Sequence, residues 1–139
     1  MSGNDEQAIG AIVDEMYAMI SGPAGLRDWS RQKNCFHPEA RQIRTWVDKQ
    51  GRPIIKCMSL DDYARDTMPY FAVNDFYEIE TDRRIDLFGN IAQVWSRYEA
   101  RRAPDDSQVE RRGVNSMQLF RNAEHGWRII HMIWDNERE

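Results

Sequence analysis

Cysteine is scarce in this chain of 139 residues, where Cys35 and Cys57 are the two present and form no CxxC pair. A zinc motif needs more ligands than this spacing offers, so we expect reduced thiols, no metal and no cofactor. Long apolar runs are also missing, since none approaches the ~18 residues of a membrane span. The first residues are polar, unlike a secretion signal. The sequence therefore predicts a soluble, cytoplasmic protein with no membrane partner.

The chain lacks a basic stripe as well. Its 19 basic residues are dispersed and are outnumbered by 23 acidic ones, which gives a net charge of −4. Binding of nucleic acid is therefore not expected. What is present is 41% hydrophobic and 11% aromatic residues, a composition typical of a globular protein. The length predicts one domain over residues 1–139.

The first half of the chain contains the helical patterns. Apolar residues at three-and-four spacing predict a first helix that ends at Gly22-Pro23, and its apolar face comprises Ile9, Ile12, Val13, Met16, Tyr17 and Ile20. Residues 26–33 predict a short second helix. Residues 36–40 predict a turn, because Pro38 disfavours helix at the preceding residue. Residues 43–47 and 54–58 predict a hairpin.

A third helix is predicted after Ser59, which stands three residues before Asp62 in a variant of the capping box. Pro69 should bend or end this helix near Tyr70, because proline has no backbone donor. From Phe76 onward no helical period remains.

The second half predicts four strands, over residues 76–88, 91–102, 109–122 and 127–135. Gly89-Asn90 is typical of a two-residue hairpin loop. Pairing Arg102 with Val109 in the next hairpin brings opposite charges together on one face, for example Glu99 and Arg112. The other face should contact the helices, and it carries Ala92, Val94, Ser96, Tyr98, Ala100, Gly113, Asn115, Met117 and Leu119.

The last strand is apolar on both faces from Ile129 to Trp134. Such a run is typical of a strand that is covered twice. The helices can cover one face, and a second subunit is the natural cover for the other. The sequence therefore predicts a homodimer formed through the convex face of the sheet.

Three segments together resemble the nuclear transport factor 2-like superfamily, and the resemblance covers nearly the whole chain. They are Cys35-Phe36-His37-Pro38-Glu39-Ala40-Arg41, Gly113-Val114-Asn115-Ser116-Met117-Gln118-Leu119 and Gly126-Trp127-Arg128-Ile129-Ile130-His131. The resemblance implies an α+β cone, in which a curved antiparallel sheet wraps around the N-terminal helices and leaves a pocket at the wide end. The superfamily includes ketosteroid isomerases, polyketide cyclases, dehydratases and binding domains, so the fold does not fix the activity.

Two sets of residues are candidates for function in such a cone. His131 and Asp135 share one face of a regular strand and are candidate acid/base residues, with Tyr98 as a hydrogen-bonding partner of a substrate. The residues expected to line a ligand pocket are Tyr17, Trp29, Phe36, Tyr98, Asn115, Met117 and His131.

Two main hypotheses of function follow. In the first, the cone binds a small hydrophobic or aromatic molecule without changing it. In the second, the protein is an enzyme of the polyketide cyclase, isomerase or dehydratase kind that uses His131 or Asp135. A third hypothesis is a protein-binding adaptor that uses the face of the sheet.

Overall fold

A computed structural model of the chain describes residues 2–138, and its elements follow the predicted order. The helices are α1 (Ser2–Ile20), a short 3-10 helix (Trp29–Asn34) and α2 (Leu60–Val73). The strands are β1 (Phe36–Val47), β2 (Pro53–Met58), β3 (Tyr77–Phe88), β4 (Ile91–Arg101), β5 (Arg111–Asn122) and β6 (Gly126–Asn136). Within residues 2–138 no helix combines the length and the apolar character needed to cross a bilayer.

The six strands form one curved sheet in the order β2-β1-β6-β5-β4-β3. This confirms the predicted α+β class, with helices packed on one face of a curved sheet. One detail differs from an entirely antiparallel sheet, because β1 and β6 are parallel. A short hairpin loop enforces antiparallel pairing only between consecutive strands, and these two strands are far apart in the chain.

Strand β1 begins earlier than expected. Residues 36–40, predicted as a turn, belong to β1, and Pro38 lies where the ladder to β6 is irregular between Phe36 and Arg41. A residue without a backbone donor is tolerated at such an interruption. The segment therefore keeps its strand conformation despite the proline.

Pro69 does not end α2, which continues to Val73. The expectation of an end near Tyr70 was wrong because Phe71, beyond the proline, is buried in the core. Burial of a phenylalanine offsets part of the cost of one lost backbone hydrogen bond. At the other end of α2, the capping box of Ser59 and Asp62 is confirmed.

The central hairpin has the predicted register. Glu99 lies opposite Arg112 and accepts hydrogen bonds from both Arg101 and Arg112, on the face away from the helices. In the β3–β4 loop, Gly89 has a φ of 56°, a conformation open to glycine in a two-residue turn. The opposite face of β4 and β5 is buried against α1 and forms the core.

Candidate functional site

A pocket of about 290 Å³ lies between α2 and the concave face of the sheet. We call it the cone pocket. One side of it, the aromatic wall, consists of ring side chains from α2, from the segment after it and from β6. These are Tyr63, Tyr70, Phe71, Phe76 and Trp134.

The aromatic wall is ordered by contacts between rings. Tyr70 and Phe71 follow Tyr63 by seven and eight residues, about two turns of α2, so all three side chains lie on the same side of the helix. Tyr63 meets Trp134 edge to face at 5.8 Å between ring centroids. Behind the wall, Trp29 stacks on Phe71 at 6.2 Å. The wall is therefore a packed surface that faces the cavity.

The other side of the cone pocket is polar and belongs to the sheet. Glu78, Tyr98, Asn115 and Asn136 line it. The Tyr98 hydroxyl donates a hydrogen bond to the Oδ1 atom of Asn136 at 2.6 Å. Its ring lies directly over Gly113, where a Cβ atom would overlap the Tyr98 ring and the Asp135 carbonyl oxygen. Only glycine at this position leaves room for the Tyr98 ring.

Asn115 is held by a chain of buried hydrogen bonds that crosses the core. The Ser96 hydroxyl donates to the Glu80 carboxylate at 2.6 Å. Because that hydrogen is used, the Tyr17 hydroxyl donates to Ser96 at 2.5 Å, and the Asn115 amide donates to Tyr17 at 3.0 Å. Arg83 neutralises Glu80 at the far end. The chain therefore fixes which way the Asn115 amide points.

Glu78 is a lining carboxyl whose pKa this environment brings close to neutrality. Burial raises the pKa of the Glu78 carboxyl to about 7, while the nearby Asn115 amide and the positive charge of Arg111 hold the pKa down by a smaller amount. The carboxyl is partly buried and faces the cavity. It can therefore be neutral or charged near neutral pH.

Burial also raises the pKa of the Tyr17, Tyr63 and Tyr98 hydroxyls, and the negative charge of Glu78 adds to the effect. All three hydroxyls are neutral donors at physiological pH. The polar wall thus offers hydrogen bonds and one titratable carboxyl.

The mouth of the cone pocket carries the charged side chains Arg44, Asp66 and Arg111. Arg44 donates to Asp66 at 2.9 Å, and Lys56 contacts the other carboxylate oxygen of Asp66 at 2.9 Å. These contacts hold the pKa of Asp66 below its usual value. Asp66 is therefore ionised and already forms salt bridges with two cations.

This arrangement can hold a flat apolar molecule against the aromatic wall and satisfy its polar groups on the sheet. A carboxyl with a pKa near neutrality can also exchange a proton with a bound molecule. Over residues 2–138, no three His, Cys, Asp or Glu side chains are grouped closely enough to hold a metal ion.

The predicted pocket residues fall into three groups. Tyr98 and Asn115 line the cone pocket. Tyr17 and Trp29 lie behind its walls, where they orient Asn115 and support Phe71. Phe36 and Met117 are in the core and do not reach the cavity, so their prediction as lining residues was wrong.

His131 and Asp135 lie on the other side of the sheet. His131 is exposed on the convex face, and Asp135 forms an ion pair with Arg138 at 2.8 Å. The prediction that they point into the cone was wrong because β6 contains an irregularity. Leu119 pairs with Ile129 but Gln118 pairs with His131, so Ile130 is an extra residue. Past it, Met132 and Trp134 face inward instead.

Glu78 and Arg111 were missed by the sequence reasoning. In β3, Asp82 pairs with Arg97 and Glu80 with Tyr98, so Thr81 is an extra residue. Without it, strict alternation from Gly89-Asn90 would turn Ile79 inward and Glu78 outward. The sequence offers one signal for Glu78. Glu78 and Glu80 are two acidic residues on the same face of one strand, where they pair with Ala100 and Tyr98 respectively.

No family model and no curated protein matches the sequence. Solved structures do match. An NTF2-like superfamily protein from Salmonella enterica superposes with a TM-score of 0.68 at 16% identity, covering 100% of this chain and 95% of that one. An NTF2-like protein of unknown function from Shewanella baltica gives 0.66 at 15% identity, covering 100% and 98%. The CaMKII hub of S. rosetta gives 0.67 at 17% identity, covering 94% and 95%.

These comparisons confirm the nuclear transport factor 2-like fold that the sequence motifs indicated. Identities this low establish the shared fold and leave the activity to be argued from the site.

Proposed function

We propose that the cone pocket binds a small, mainly apolar or aromatic molecule. The observation that carries this proposal is a cavity of about 290 Å³ with rings on one side and hydrogen-bonding groups on the other. Ligand sites are typically concave and mostly apolar, with a few convergent polar groups that orient the ligand. A volume near ~300 Å³ is at the lower end for such sites, which favours a ligand of one or two rings.

The polar wall gives the ligand an orientation. Tyr98 and Asn115 are each fixed by a hydrogen bond to a neighbour, at 2.6 Å and 3.0 Å. Groups that are held in place before binding lose little freedom when a ligand arrives. Glu78 is the group on this wall whose hydrogen bonding depends on pH, because the ionised carboxylate only accepts hydrogen bonds and the neutral carboxyl can also donate one.

Binding is favoured over catalysis by the placement of the candidate acid/base residues. His131 and Asp135 are on the convex face, so an enzyme that uses them on a molecule in the cone is not supported. Tyr98 remains in the cone pocket as a binding residue.

The experiment measures the affinity of naphthol, a neutral two-ring probe, by isothermal titration calorimetry. Trp134→Leu removes one ring of the aromatic wall and should weaken binding about tenfold, because an aromatic contact contributes ~1 kcal/mol or more. The control is Phe88→Leu, a ring that is 83% exposed at the end of β3 and does not line the cone pocket, and it should bind naphthol as the wild type does. Equal affinities of all three proteins, or no binding, would contradict the proposal.

We also propose a homodimer through the convex face. The cross-strand register aligns Ile43, Ile133, Ser116 and Trp95 in one row across four strands of that face. We call it the outer row. Ile133 is 42% exposed and Trp95 40% exposed. A convex sheet face with large, partly exposed apolar side chains near its centre is suited to pairing with its own copy around a two-fold axis.

A further inference from the structure

The lining of the cone pocket carries two cations, Arg44 and Arg111, and two acids, Asp66 and Glu78. Arg44 is paired with Asp66, which Lys56 also contacts from outside the lining. Arg111 is the other cation, and Glu78 is partly neutral near pH 7 because burial raises its pKa to about 7. The lining therefore has a small excess of positive charge near pH 7, which favours an anion in the cavity.

Arg111 is the lining cation that can bind a ligand, because Arg44 already pairs with Asp66. Two arginines of the same hairpin are occupied, since Arg102 pairs with Glu110 and Arg112 with Glu99. Among residues 2–138, no salt bridge includes Arg111. Arg111 lies opposite Ala100 in the register of β4 and β5, and its side chain lines the cone pocket. A planar guanidinium in this position can bind a carboxylate through two hydrogen bonds.

The aromatic wall and Arg111 border the same cavity. A ring placed against Trp134 and Tyr63 therefore has its polar end within the reach of the mouth. A molecule with one ring system and one acidic group satisfies both surfaces.

We propose that the cone pocket is specific for an aromatic monocarboxylate, with its ring on the aromatic wall and its carboxylate on Arg111. This inference rests on the function proposed above and adds the charge of the ligand. It also makes binding depend on pH, because an ionised Glu78 repels a carboxylate close to it.

The groups that face Glu78 come from every neighbouring element. They are Tyr17 of α1, Tyr63 of α2, Tyr98 of β4, and Arg111 and Asn115 of β5. The three tyrosines are neutral throughout the range from pH 6 to pH 8 because burial raises the pKa of each hydroxyl. Glu78 is therefore the group of this cluster that titrates there.

The test compares naphthoate with its neutral amide, naphthamide, and with the cation naphthylmethylammonium, by calorimetry at pH 6. The wild type should bind naphthoate about tenfold more tightly than naphthamide, as a charge-assisted hydrogen bond pair would provide. Arg111→Gln should remove this preference. Arg112→Gln, which makes the same change on the opposite face of the same strand, should retain it.

A second readout uses pH and location. Naphthoate binding should weaken from pH 6 to pH 8 in the wild type and stay constant in Glu78→Gln, while naphthamide binding stays constant in both. Bound naphthoate should shift the indole N–H resonance of Trp134 and leave that of Trp95 unchanged.

The outcomes separate the two proposals. Two results would show that the proposed negative charge of the ligand is wrong: naphthamide or the ammonium probe binds as tightly as naphthoate, or Arg111→Gln still prefers naphthoate to naphthamide. The pocket would then bind a neutral or cationic ligand. If none of the three probes binds, or if naphthoate shifts Trp95 instead, the proposed function fails and the inference fails with it.

Discussion

A single carboxyl group shows how burial changes chemistry at the scale of one residue. The Glu78 carboxyl has an ordinary pKa of 4.5 in the unfolded chain, and burial raises this pKa to about 7 in the folded protein. Between these values the unfolded chain has released the proton while the folded protein still binds it. The free energy of unfolding must therefore fall as pH rises through this window.

We predict that Glu78→Gln removes this dependence. The stability of the wild type relative to Glu78→Gln should decrease by up to about 3 kcal/mol between pH 4.5 and pH 8, since each pKa unit is worth ~1.4 kcal/mol. Urea denaturation at several pH values measures the difference. Glu39→Gln, at an exposed carboxylate, should follow the wild type. A difference that does not vary with pH would show that Glu78 is not buried in this way.

Helix α2 matters at the scale of the element because it carries most of the aromatic wall. Its start is fixed by two reciprocal hydrogen bonds. The Ser59 hydroxyl accepts from the Asp62 amide at 3.1 Å, and the Asp62 carboxylate accepts from the Ser59 amide at 3.3 Å. Both contacts satisfy amides that the helix itself leaves without acceptors.

We predict that Ser59→Ala lowers the free energy of unfolding by about 1 kcal/mol, the usual cost of a lost N-cap. Asp61→Ala is the matched control, since Asp61 is in the same first turn but outside the capping box. It should cost less than half as much, through the helix dipole alone. Chemical denaturation monitored by circular dichroism gives both values. Equal losses would mean that charge, and not the cap, stabilises this end of the helix.

At the scale of the whole molecule, the convex face of the sheet determines assembly. Ile133 is at the centre of the outer row, and a charge there would have to be buried in the proposed interface without a partner.

We predict a dimer for the wild type and a monomer for Ile133→Glu, measured by sedimentation equilibrium at micromolar concentration. Val73→Glu places the same charge at an apolar residue that is 76% exposed at the end of α2, and it should remain dimeric. A monomeric wild type at this concentration, or a dimeric Ile133→Glu protein, would contradict the proposed interface.

The amino-acid sequence determined by itself the elements that depend on local rules. Residues close in the chain set the apolar period of α1, the capping box of α2 and the Gly89-Asn90 turn. The register of Glu99 with Arg112 follows from opposite charges on two consecutive strands. Alternation along β4 and β5 then placed Tyr98 and Asn115 on the concave face. These strands are regular between their loops, so counting residues was enough.

Only the tertiary structure decided which side chains of β3 and β6 enter the cone. An extra residue at Thr81 turns Glu78 inward, and another at Ile130 turns His131 outward. A bulge shifts the side chains on one side of it to the other face of the sheet, and it bends the strand. No local pattern marks either position, because both faces of β6 are apolar and the neighbours of Thr81 alternate in either register. The most informative residue of the site, Glu78, was therefore visible only in the folded protein.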